Sequence, residues 1–107
     1  MITIVSMRGG NWPSLPWQVR VDRSSVLGNP FALCRTCSRD QSCDQYQQQF
    51  DRWVTGTEPN QMVMDELDRL IELYKVYGRL ELNCWCAPLR CHAQTIKQYL
   101  ENILCTA

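Results

Sequence analysis

The chain has no excess charge of either sign: eleven Lys and Arg offset eleven Asp and Glu over 107 residues. Proteins that coat a polyanion or lie on an acidic membrane carry a bulk positive excess, so nucleic acid is not indicated as a partner and no membrane partner is expected. No run approaches the roughly 20 apolar residues that a spanning helix needs. The opening Met1-Ile2-Thr3-Ile4-Val5-Ser6 has neither a basic lead nor a long apolar stretch, and reads as a first strand instead of an export signal. Repeats and low-complexity segments are missing as well. Histidine is nearly so: His92 is the only one, and acid–base work near neutral pH falls to it or to a carboxylate. These absences leave one cytoplasmic domain over residues 1–107, with a single modest core.

What the chain does have is cysteine. There are seven, at positions 34, 37, 43, 84, 86, 91 and 105. An odd number without an export signal argues against a disulfide framework and for a reducing compartment. In that setting a cysteine is a small buried hydrophobe, a metal ligand or a reactive thiol.

The apolar pattern predicts an α/β fold: a small two- or three-layer arrangement of three to four mostly parallel strands with three main helices. Ile2 to Val5 is short and β-branched, and Trp17-Gln18-Val19-Arg20-Val21 alternates as a half-buried strand does. Prolines 13 and 16 forbid a helix between them. Ser38-Arg39-Asp40-Gln41 is a capping box, followed by an apolar stripe of Cys43, Tyr46, Phe50 and Trp53. A second stripe of Val63, Leu67, Leu70 or Ile71, and Tyr74 ends at Gly78, where a left-handed residue is wanted. Leu80, Leu82, Cys84 and Cys86 alternate as a third strand that Ala87-Pro88 ends, and Ile96, Leu100, Ile103 and Leu104 mark a last helix.

If the second and third strands are parallel, their following loops leave the same edge of the sheet, where open α/β sheets bind ligands. The first loop offers Arg23, Ser24, Ser25 and Asn29; the second offers Arg90, Cys91 and His92 at a helix start. Backbone amides and the helix dipole favour an anion there, and arginines add bidentate hydrogen bonds. A cysteine at a helix start beside histidine and arginine has its thiolate favoured, which suits Cys91 as a nucleophile or a metal ligand, and a general acid–base role falls to His92 or to a carboxylate. Sequence neighbours rarely point at one target, so a direct Cys91–His92 pair is not expected. The bland alternative is that Cys91 packs under the helix start and His92 caps the helix or hydrogen-bonds backbone. Cys34-Arg35-Thr36-Cys37 has zinc-knuckle spacing, and Cys91 and His92 would complete four ligands; a lone CxxC is a weak signal, and no cofactor is favoured. Cys84 and Cys86 point to one packed face, and Trp85, on the opposite face, reads as covered by a helix. Trp12 and Trp17 are open between loop packing and the wall of a pocket.

Arg23-Ser24-Ser25, Gly28-Asn29-Pro30-Phe31, Arg39 before Tyr46, and Leu82-x-Cys84-Trp85-Cys86-x-Pro88-x-x-Cys91-His92 together resemble the small bacterial and phage family catalogued as domain of unknown function 4326. The resemblance spans roughly residues 17 to 104. It implies a compact α/β domain whose recurrent polar positions fall on Arg23, Ser24, Gly28, Asn29, Arg39, Cys91 and His92 here. Ala93 stands where the pattern usually has glycine, and Cys34 and Cys37 are additional. Three functions stay open: binding or processing of a nucleotide or other phosphorylated or anionic ligand at loops 23–31 and 84–92; a non-catalytic factor that binds a host protein; and a zinc-stabilised module.

Overall fold

A computed structural model describes residues 2–8, 10, 12–22, 25–30, 38–85 and 90–106, of which residues 105 and 106 are described by backbone alone. Three strands, β1 (Ile2–Ser6), β2 (Gln18–Arg20) and β3 (Leu80–Cys84), and three helices, α1 (Arg39–Thr55), α2 (Gln61–Tyr77) and α3 (Ala93–Thr106), follow in the chain order β1-β2-α1-α2-β3-α3, the elements that the apolar pattern predicts. The sheet is parallel throughout, in the order β1-β3-β2. Every strand therefore ends on the same edge, at Ser6, Arg20 and Cys84.

Local chemistry sets the helix limits. Ser38 accepts from the Gln41 amide while the Gln41 side chain accepts from the Ser38 amide, so two donors that the first turn cannot use are satisfied. The Asn60 side chain accepts from the Val63 amide to start α2. Gly78 closes α2 at φ +71°, where a side chain would be strained, and its amide bonds Tyr74 at 2.7 Å.

Pairing of Ile2 with Leu80, Ile4 with Leu82 and Val19 with Leu82 puts the apolar positions of all three strands on one face. That face and the stripes of the helices form one core around Leu80, Leu82, Tyr46, Phe50, Leu67, Ile96 and Leu100. The alternate positions, Thr3, Val5, Gln18, Arg20, Glu81 and Asn83, lie on the other face and outside that core. The molecule is a two-layer α/β structure with a short axis of 21 Å. Trp85 is the one aromatic that departs from expectation. It sits on the helix-free face and is 38% exposed, because the helices pack against the side that Cys84 faces.

Candidate functional site

Because all strands end together, three connections meet at one edge. Val21 follows β2 and is buried in the core; the Cys91-His92 turn leads into α3. The Cys91 and His92 carbonyls accept from Gln94 and Thr95, both at 3.0 Å, so these two residues form the entry turn of the helix. Their side chains are almost wholly buried.

The imidazole of His92 joins the two connections. Its Nε2 hydrogen-bonds the Val21 carbonyl oxygen, and its Nδ1 lies 3.5 Å from the Cys91 Sγ. A carbonyl only accepts, so Nε2 carries the proton and Nδ1 presents a lone pair to the thiol. The pair of sequence neighbours does meet, because the entry turn folds both side chains inward. Tyr46 packs edge-on to the imidazole with ring centroids 5.0 Å apart, and its hydroxyl donates to the Leu27 carbonyl at 2.8 Å. Burial, and then the neighbouring Cys91, push the Tyr46 hydroxyl well above its ordinary ionisation range.

Cys91 also lines a groove of about 400 Å³ between α1 and α3, with Cys43, Phe50 and Tyr99 among its apolar walls and Thr95 and Gln98 among its polar ones. This volume is within the range of small-molecule sites. Among the described residues, Cys43 and Cys91 face the groove, and of these Cys91 has the imidazole contact.

The arginines divide by partner. The Arg90 guanidinium spans Asp40 at 2.9 Å and Asp44 at 2.7 Å, and these carboxylates raise its pKa, Asp44 foremost. Arg90 thereby ties the approach to α3 onto the first turns of α1. Arg39 donates to the Arg90 carbonyl at 3.4 Å and, among the described residues, pairs with no carboxylate. The positive ends of α1 and α3 are thus adjacent, with Arg39 between them as the cation with donors to spare. Asn29 is buried and donates to Ser42 Oγ at 2.9 Å, and the Gly28 amide bonds Ser25 at 3.1 Å, so this loop is braced against α1. Arg23, Ser24, Cys34 and Cys37 lie outside the described residues. Among the described residues, no three His, Cys, Asp or Glu side chains are grouped to hold a metal ion. No helix among them is long and apolar enough to cross a membrane.

A second cluster at the same edge, on the helix-free face, was not visible in sequence. Trp85 Nε1 donates to Asp22 at 2.9 Å, Arg20 pairs with the same carboxylate at 2.5 Å, and the Arg20 guanidinium lies 5.0 Å from the ring centre of Trp12. Trp12 and Trp85 meet edge to face at 5.3 Å.

Fold and site together define a small two-layer α/β protein with a cysteine–histidine pair at the C-terminal edge of a parallel sheet. The chain belongs to the family described as Domain of unknown function (DUF4326), whose match covers residues 4–102. No curated protein and no solved structure matches it.

Proposed function

We propose that the protein binds and processes a nucleotide or other phosphorylated ligand at the C-terminal edge of its sheet, with Cys91 as nucleophile and His92 as its base. The observation that carries this reading is the orientation of the imidazole. The Val21 carbonyl fixes the proton on Nε2 and aims Nδ1 at the thiol. A thiol, an acceptor nitrogen 3.5 Å from it and a carbonyl that orients the ring are the kinds of parts that thiol catalysis uses, which supports this reading. Transfer of the thiol proton to Nδ1 leaves a thiolate at the start of α3, where the helix dipole favours negative charge.

The same dipole and that of α1 favour an anion beside Arg39, whose spare N–H groups suit a phosphate. Arg90, already spanning Asp40 and Asp44, acts as a strut that holds the two helix starts together. Gly28 and Asn29 shape the neighbouring loop, and Arg23 and Ser24 belong to the same connection. The groove between α1 and α3 gives the rest of the ligand access to Cys91.

Competitive alkylation tests this. Iodoacetamide applied to the native protein, with labelled cysteines identified by peptide mass spectrometry, is expected to modify Cys91 faster than Cys43. Nucleoside monophosphates or inorganic phosphate should slow the reaction at Cys91 selectively, and Arg39→Ala should remove that protection. Equal labelling of Cys43 and Cys91, or no protection by any phosphate compound, would overturn the reading.

A further inference from the structure

The helix-free face carries a polar group that the fold does not use. Asn83 occupies the central strand β3, paired with Val5 on one side and Arg20 on the other, and is 1% exposed. Its Oδ1 is buried without a hydrogen-bond partner. An orphaned buried acceptor is destabilising. A β-branched residue would serve a central strand better, so the position makes chemical sense if a donor arrives from outside the chain.

Strand alternation places Arg20, Asp22, Asn83 and Trp85 on this one face, and Trp12 stacks on Arg20 above it. Met7 is buried here too, outside the main core. The cluster is walled by two indoles, 51% and 38% exposed, and among the described residues its Arg20 and Asp22 pair with each other. A charge-balanced aromatic platform beside an unfilled acceptor fits a neutral planar group that carries N–H donors. It does not fit a phosphate.

We propose that Trp12, Trp85 and Asn83 form a nucleobase seat, in which the base stacks on the Trp12 indole beside Trp85 and an exocyclic amino group donates to Asn83 Oδ1. This rests on the nucleotide reading above and deepens it. The connection is short: Val21 holds His92 on the helix side of the edge, and Asp22, the next residue, holds Trp85 on the other. A nucleotide laid across the edge would have its base on the open face and its phosphate by Arg39 and Cys91.

Nucleosides without phosphate separate the two proposals. Titrating adenosine, and purine riboside, which lacks the amino group, into the full chain reads the base seat by tryptophan fluorescence and calorimetry. Adenosine should quench the fluorescence and bind about tenfold more tightly than purine riboside, which is the factor that about 1.4 kcal/mol supplies. Trp12→Ala should weaken adenosine at least tenfold, as loss of a stacking surface does. Asn83→Val should abolish the preference for adenosine without lowering the melting temperature, since it removes an orphaned acceptor. Equal affinity for the two nucleosides, undiminished binding by Trp12→Ala, or no nucleoside binding at millimolar concentration would each overturn the base seat. Phosphate protection of Cys91, measured separately, decides the proposal on which it rests.

Discussion

Tyr46→Phe probes the support beneath the cysteine–histidine pair and has a worked magnitude. The Tyr46 hydroxyl donates to the Leu27 carbonyl in a buried setting, and its ring packs against His92. Removing the hydroxyl leaves that carbonyl without its donor, at a cost of about 1–3 kcal/mol. For a domain of this size each kcal/mol moves the melting temperature by roughly 4–8 °C. The pH dependence gives a second, independent number. Burial and the nearby Cys91 raise the Tyr46 pKa in the folded protein, whereas the unfolded chain ionises near pH 10. Below that value both states hold the proton and the contribution of the hydroxyl is complete. Above it the unfolded state releases the proton first, so stability falls as pH rises. At pH 11 the loss is about 1.4 kcal/mol, and Tyr46→Phe is spared it. Urea unfolding followed by circular dichroism, in reductant, at pH 8 and pH 11 measures both effects. The variant should be less stable at pH 8, and the gap should narrow by about 1.4 kcal/mol at pH 11. An unchanged gap would show that the hydroxyl ionises as freely in the folded protein as in the unfolded chain, and would refute the reasoning.

Three further outcomes follow from packing and caps. Leu82→Ala, at the centre of the sheet and fully buried, should cost about 2–5 kcal/mol in urea unfolding, as cavities in a core do. Gly78→Ala forces a side chain into the left-handed conformation at the end of α2 and should lower stability by about 1–2 kcal/mol. Ser38→Ala removes half of a reciprocal cap and should cost about 1 kcal/mol, with the lost helicity confined to the first turn of α1 on hydrogen exchange.

The helices were legible because their signals are local. Ser38 and Gln41, the stripe from Cys43 to Trp53, and Gly78 each act over a few residues and are the same in sequence and structure. The order β1-β3-β2 was not legible, since it depends on where a crossover returns and not on any one segment. Trp85 shows the consequence. Its alternation was read correctly, but which faces the helices cover is decided by packing, and it lies on the open one. The grouping of Trp12, Arg20, Asp22 and Asn83 around it was hidden for the same reason.

At the candidate site the gathering of the loop with Asn29 and the turn with Cys91 at one edge was readable from parallel strands. Side-chain partners were not. Arg90 could be placed at the helix start, but its two carboxylates lie on α1, some fifty residues away in sequence. The Cys91–His92 contact depends on the inward entry turn, and the proton on Nε2 depends on the carbonyl of Val21. Each of these comes from an element distant in the chain.

The most direct test of the central claim is the rate at which iodoacetamide alkylates Cys91 between pH 6 and pH 9, in the native protein and in His92→Asn, with circular dichroism confirming that both are folded. If His92 activates the thiol, alkylation of Cys91 slows at least tenfold at pH 7 in the variant while that of Cys43 is unchanged. Identical Cys91 rates in the two proteins across that range would contradict the account.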